Sequence, residues 1–459
     1  MIKCNDELEL RVEKLTYQGS ALARTEDGFV VFVKNAAPCD LVKVKITKAN
    51  KNWAVGEIIE ILEESKHRKK PICPLFNACG SCSYQYVDYD FLLQEKNNML
   101  KEAFYGLGYD VEFRKPCASP KIEEYRHKIQ YRVSETKNSK RLLVGYFKEK
   151  SHDIVNIKFC PIQPKIADEM AEFLRQNWSL GGYVEKTHKG LLRSFIVRFS
   201  SDLQNALVTL VLNLEEKNFS QFEFKLCDFA KKMSEKFPQI KGVSVNFNSE
   251  KTNNILGQKF KTIFGEEFIY ENLGDEKKYK ISPSSFFQVN PHCAKEIFDE
   301  VKGYIDDGSV ILDAYGGVGA IGIWCASCAK KVVLVEESES SIKDAKENFK
   351  LNNVEKYEIF LADAKAQFRK FIKEKKKFSH IIIDPPRKGC DREALEILSQ
   401  LGEKIIYVSC NPQTLVRDLK ILGELGFVAK STRAFDMFPF SYHIESVTMI
   451  EKEAQTKVE

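Results

Sequence analysis

Near the C-terminal end of the chain, three segments carry residue types that do chemistry. Ile405-Ile406-Tyr407-Val408-Ser409-Cys410-Asn411-Pro412 is an apolar run that breaks at a polar tip. A cysteine there falls at the carboxyl end of a strand, where open α/β sheets keep their active sites. His380-Ile381-Ile382-Ile383-Asp384-Pro385-Pro386-Arg387 is a second buried strand, and its prolines stiffen the exit and hold Asp384 at the same edge. Phe438-Pro439-Phe440-Ser441-Tyr442-His443-Ile444-Glu445 leads into a last strand and supplies a further carboxylate. A thiolate that adds to C6 of a uracil ring makes C5 a carbon nucleophile, and a base must then remove the C5 proton before the thiolate can leave. Cys410 is the candidate nucleophile and Glu445 the candidate base. Each alone has a plainer reading, a packed structural cysteine or a surface acid; their position at strand tips favours chemistry.

A cofactor loop stands upstream. Val310-Ile311-Leu312-Asp313-Ala314-Tyr315-Gly316-Gly317-Val318-Gly319-Ala320 is a strand feeding a glycine-rich turn and a helix, a form that lets backbone approach a ligand closely. Lys331-Val332-Val333-Leu334-Val335-Glu336 is a second strand ending in an acid, which can bind both hydroxyls of an adenosine ribose. A third stretch, 357–362, ends at Asp363, where a carboxylate could accept the adenine amino group. This pattern fits S-adenosylmethionine and NAD equally well. Asp384-Pro385-Pro386 is related to a motif of amino-methylating enzymes, but those follow the prolines with an aromatic residue, and here Arg387 follows.

Cys73-Pro74-Leu75-Phe76-Asn77-Ala78-Cys79-Gly80-Ser81-Cys82 has a C-x5-C-x2-C spacing, and Cys160 precedes a proline. Four thiolates are the usual complement of zinc or a four-iron cluster, and spacing does not choose between them. Cys325 and Cys328 also form a C-x-x-C pair, expected to be packing residues of a helix. Thirteen cysteines without an apolar leader point to metal or thiolate chemistry in a reducing cytoplasm.

The elements that must position these residues are legible as three units. Residues 1–62 alternate in short strands with an Asp27-Gly28 turn, which fits a small closed barrel of the OB type. Residues 63–283 hold the cysteine segment, then an α+β middle domain. Residues 284–459 repeat strand, loop and helix, the pattern of a Rossmann-like doubly wound sheet. The fold class is therefore α/β, and 459 residues are ample for three cores. The apolar stretch Val310–Ala329 holds Asp313 and several glycines, which argues against a membrane span. A net charge of +5 means that nucleic-acid binding would need local patches, for which Lys66-His67-Arg68-Lys69-Lys70 and Lys373-Glu374-Lys375-Lys376-Lys377 are candidates.

The Asp-Pro-Pro-Arg, Ser-Cys-Asn-Pro and His-Ile-Glu-Ser elements, in this order, resemble the RNA uracil-5-methyltransferase family that modifies bacterial tRNA and 23S ribosomal RNA. Ser284-Ser285-Phe286-Phe287-Gln288-Val289-Asn290 looks like that family's Phe-x-Gln-Val-Asn element. The resemblance implies Cys410 as nucleophile, Glu445 as proton acceptor and Asp384 as a residue holding base and cofactor. It implies S-adenosyl-L-methionine contacts at Gln288, Tyr315, Glu336, Asp363 and Asp384. It also implies a TRAM domain at the N-terminus, RNA as partner, a basic strand at Tyr125-Arg126-His127-Lys128, and a flipped-out uridine on which Phe286 or Phe287 could stack. The cysteine spacing matches the ribosomal RNA branch, which implies a [4Fe-4S] cluster on Cys73, Cys79, Cys82 and Cys160 and favours 23S rRNA over tRNA. The loop departs from the family where Gly316 replaces a cysteine and Ala320 a polar residue. A cytoplasmic monomer is expected. Rival readings are an RNA cytosine-5 methyltransferase, which would carry a cysteine where Asp384-Pro385-Pro386 stands, an inactive RNA binder, and a nicotinamide oxidoreductase.

Overall fold

The structure, a computed structural model, describes residues 2–274 and 277–453; Met1 and 454–459, at the outer ends of the first and last units, lie outside them. The first five strands, Glu7–Leu15, Ala21–Arg24, Val30–Val33, Leu41–Ala49 and Trp53–Glu63, close into a barrel. Period-two alternation explains it: Leu10 and Val12 point inward while Arg11 and Glu13 face solvent, and a register shift between Val12 and Lys14 brings Leu15 inward as well. Gly28, at φ +82°, makes the tight turn between the second and third strands. Asp40 is fully buried and accepts from the amides of Ala37 and Ser65 and from the Arg68 guanidinium. Arg68 thus serves the barrel, and the first basic run is only partly a free surface.

A central seven-stranded sheet follows, built around Ala206–Leu212, Leu192–Phe199 and Lys128–Glu135. Helices Lys165–Asn177 and Glu223–Lys236 cover one face, burying Met170, Leu174, Leu226, Phe229 and Met233 against it.

The C-terminal sheet carries the site. Its order is Tyr357–Leu361, Ala329–Glu336, Ser309–Asp313, His380–Ile383, Lys404–Ser409, Glu445–Lys452, Phe427–Phe435 and Glu112–Phe113. The first five are parallel, and Glu445–Lys452 and Phe427–Phe435 form an antiparallel pair at their side. Strand order reverses between Ser309–Asp313 and His380–Ile383, which opens a crevice at their carboxyl ends. Two earlier segments join this unit. Helix Tyr89–Phe104 buries Leu100 and Phe104 in the C-terminal core and Leu92 and Met99 in the barrel core. The hairpin Ile269–Leu273 with Lys277–Ile281 packs on helix Glu339–Leu351, where Asn348 bonds both the amide and the carbonyl of Lys280. No described helix is long and apolar enough to cross a membrane.

Candidate active site

The strand register brings the predicted catalytic residues together. Ser409 pairs with Ser446 across antiparallel neighbours, so Cys410, one residue on, stands opposite Glu445, one residue back. Opposed residues in such a ladder have Cα atoms roughly 4.5–5.5 Å apart. On the other side Ile383 pairs with Tyr407, which puts Asp384 at the same rim. Cys410 and Asp384 are half-buried, and Glu445 is 6% exposed.

These groups perturb one another. Burial, and then the Glu445 carboxylate, push the Cys410 thiol up to about 12, with Arg387 opposing. Burial and Asp384 hold Glu445 well above the usual carboxylate range, again against Arg387. Burial alone pushes Asp384 up to about 7. Asp313, also raised to about 7 by burial, receives the Gly322 amide at 3.0 Å and feels both Asp384 and Glu336. The Cys410 thiol therefore holds its proton at neutral pH, in a crevice crowded with carboxyls.

The glycine turn is tied to its acid. Gly317 N donates to Glu336 Oε2 at 3.1 Å and Ser338 N to Oε1 at 2.8 Å, so the carboxylate is fixed beside the loop. Gly319 adopts φ +82°, and a Cβ on Gly316 would lie 2.5 Å from Leu334 Cγ. The glycine at 316 thus matches the leucine behind it. Asp363 caps helix Ala364–Lys373 through the Ala366 amide, which occupies one of its oxygens. Tyr315 is half-buried on the core with its ring against Phe368. Gln288 is half-buried; beside it, Phe287 belongs to the core and Phe286 is 62% exposed.

Cys73, Cys79, Cys82 and Cys160 line one small cavity with Phe76, Phe159 and Pro161. Burial raises the thiols of Cys73, Cys82 and Cys160, Cys82 to about 12. Among the described residues, no group of three or more His, Cys, Asp or Glu side chains is arranged to hold a single metal ion. Cys325 is buried and Cys328 packs on the same core, as expected of packing residues.

Sequence reasoning missed several members of the site. Arg387 donates to His443 Nδ1 at 2.6 Å. Burial and Arg387 push His443 down to about 4, so its ring is the neutral acceptor. The Arg387 carbonyl is held by Asn411 and Thr414, locking it to the helix after Cys410. Its place in the Asp-Pro-Pro-Arg run was the available signal. Lys96 and Asp436, 2.6 Å apart and buried, brace the segment that leads to Glu445, and no local pattern announces that pair.

The pattern of the family described as tRNA (Uracil-5-)-methyltransferase matches residues 88–453, and that of the TRAM domain matches residues 4–59. An uncharacterized RNA methyltransferase of Oceanobacillus iheyensis is 36% identical over 455 residues, covering 96% of each chain. Another, of Halalkalibacterium halodurans, is 33% identical over 456 residues, covering 97% of each. Among solved structures, the tRNA (uracil-54, C5)-methyltransferase of Pyrococcus abyssi in complex with S-adenosyl-L-homocysteine matches at 25% identity and a TM-score of 0.73, over 96% of this chain and 100% of that one.

Proposed function

The chain belongs to the tRNA (uracil-5-)-methyltransferase family, with an N-terminal TRAM domain, and from that premise we propose that it methylates C5 of a specific uridine in 23S ribosomal RNA, using Cys410 as nucleophile and Glu445 as base. The observation that carries the catalytic assignment is the register that sets Cys410 opposite Glu445 at the edge where Asp384 ends its strand. As an S-adenosylmethionine-dependent RNA methyltransferase it needs a crevice that accepts a cation. The carboxyls of Asp313, Glu336 and Asp384 gather at that edge, which suits a sulfonium better than the pyrophosphate of a nicotinamide dinucleotide. Gln288, Tyr315, Glu336, Asp363 and Asp384 are the residues assigned to hold the cofactor, which when bound supplies the methyl group.

The residues then divide the work. Arg387 favours the Cys410 thiolate, which bonds to C6 while the C5–C6 electron pair moves to C5 and its carbonyl. C5 takes the methyl group. Glu445, as carboxylate, accepts the C5 proton, and the returning electron pair expels the thiolate from C6. Asp384 holds the base against the strand tips.

The target choice rests on the cysteine cavity. Four thiols around one cavity are the complement that a four-iron cluster takes, and the resemblance to the ribosomal RNA branch is what favours iron over zinc. We assign Cys73, Cys79, Cys82 and Cys160 as ligands of a [4Fe-4S] cluster with a structural or RNA-positioning role. In this reading the chain works as a monomer, divided at about residues 62 and 283. A second reading, the same chemistry on a T-loop uridine of tRNA, is favoured by the Pyrococcus abyssi enzyme, whose match takes in the barrel as well.

One experiment separates them. Anaerobically purified protein is incubated with S-adenosylmethionine and 5-fluorouridine transcripts of 23S rRNA or tRNA. Fluorine cannot leave C5 as a proton does, so the adduct persists as a denaturation-resistant shifted band. A band with 23S transcripts, lost in Cys410→Ala, is the expected result. A band with tRNA alone transfers the target, and none with either RNA refutes the nucleophile. Four iron and four sulfide per chain are expected in the same preparation, and zinc without sulfide refutes the cluster.

A further inference from the structure

The N-terminal barrel reaches the catalytic crevice at Tyr17. Tyr17, in the turn between the first two barrel strands, donates its hydroxyl to the backbone carbonyl of Cys410 at 3.3 Å, across 393 residues of sequence. Its ring meets Tyr442 edge-on, with centroids 5.6 Å apart, next to the His443 that receives Arg387. Tyr17 packs against both the barrel core and the C-terminal core.

The turn is held too firmly for this to be a loose surface contact. Thr16 N and Ser20 O close it at 2.8 Å, and the buried Tyr84 hydroxyl donates to the Thr16 carbonyl. Gly19, at φ +86°, would place a Cβ 3.2 Å from Ser83 Oγ and 3.4 Å from Tyr442 Cδ1, so glycine lets the turn lie on those residues. Ser83 and Tyr84 in turn bond the Phe440 carbonyl. The strand leading to Tyr17 is anchored by Leu15 N to the buried Glu95 carboxylate of helix Tyr89–Phe104 at 2.9 Å.

We propose that Tyr17 is a positioning residue of the catalytic site, and that the TRAM barrel, beyond binding RNA, completes that site by fixing the Cys410 backbone and the place of the Arg387 guanidinium. The inference rests on Cys410 being the nucleophile. Charge supports the geometry: burial raises the Tyr17 hydroxyl to about 12, so it stays a donor, with Arg387 as the largest opposing influence. The groups facing Cys410 are then Glu445, Arg387, Asp384 and Tyr17. Of these, Arg387 favours the thiolate, and Tyr17 stands against it.

The test is Tyr17→Phe in the full-length chain, which keeps the ring on Tyr442 and removes the hydroxyl, alongside Tyr17→Ala and Cys410→Ala. Two quantities are measured: kcat and RNA KM for methyl transfer, and the pH dependence of Cys410 alkylation by iodoacetamide, followed by peptide mass. Losing one hydrogen bond should lower kcat by roughly two- to tenfold in the phenylalanine variant, leave KM within about twofold and move the alkylation profile to higher pH. Tyr17→Ala should fall further on both. Wild-type kcat and alkylation in Tyr17→Phe would overturn the proposal, as would a rise in KM alone, which would make Tyr17 an RNA contact. Methylation surviving in Cys410→Ala would instead overturn the nucleophile itself.

Discussion

Lys96→Met asks whether the segment leading to Glu445 is held by one buried charge pair. The Lys96 ammonium lies 2.6 Å from Asp436 Oδ1 and also donates to the Phe438 carbonyl at 3.0 Å. Side-chain exposure is 1% for Lys96 and 0% for Asp436. Burial lowers the ammonium's proton affinity below the ordinary lysine value, and Asp436 restores it only in part. The intact pair therefore adds little net stability, whereas removing one member leaves the other charge buried alone. At an effective dielectric of about 20, unit charges 2.6 Å apart attract by about 6 kcal/mol. Relaxation and water entry reduce the loss to about 3–5 kcal/mol for such broken pairs. The assay is urea denaturation followed by tryptophan fluorescence, because Trp53, Trp178 and Trp324 report from barrel, central and C-terminal units. Lys96→Met and Asp436→Asn should each lose about 3–5 kcal/mol, and the double variant should recover at least half of that. A single variant within about 1 kcal/mol of wild type, or a double variant as weak as the sum of the singles, would refute the reasoning.

Further outcomes follow from the same geometry. Glu445→Gln cannot accept the C5 proton, so the Cys410–RNA adduct should accumulate with ordinary uridine while turnover drops about 100- to 10,000-fold; turnover without a trapped adduct would remove Glu445 from that role. Because the Cys410 thiol is pushed up to about 12, its thiolate fraction, and with it alkylation in the free enzyme, should climb about tenfold per pH unit from pH 7 to 10, and a plateau below pH 9 would contradict the assignment. Glu445 is held above the usual carboxylate range, so it is protonated at low pH and methyl transfer should decline on the acid side as the base is lost; a flat acid limb counts against it. Glu336→Ala frees the Gly317 and Ser338 amides and should weaken S-adenosylhomocysteine binding by about ten- to a hundredfold in calorimetry; an unchanged Kd would mean that this carboxylate only shapes the loop.

Local pattern was enough for the parts of this protein that repeat at short range. Apolar runs broken by polar tips placed Asp384 and Cys410 at strand ends, and the final strand begins at Glu445. Alternation and the Asp27-Gly28 turn announced the barrel, and the glycine run announced the strand-to-helix turn that Glu336 holds through the Gly317 amide. These features are legible because side-chain period and backbone conformation depend on neighbours in sequence. The tertiary structure decided what sequence distance hides. It chose the register that opposes Cys410 to Glu445. It gave Phe287 to the core while leaving Phe286 exposed, and gathered Cys160 with the distant Cys73, Cys79 and Cys82. It spent Arg68 on Asp40 and drew helix Tyr89–Phe104 onto the C-terminal sheet. Lys96 and Asp436 meet across 340 residues and Tyr17 and Cys410 across 393. Such contacts leave no periodic trace, because they are set by how already formed surfaces exclude water and satisfy buried polar groups.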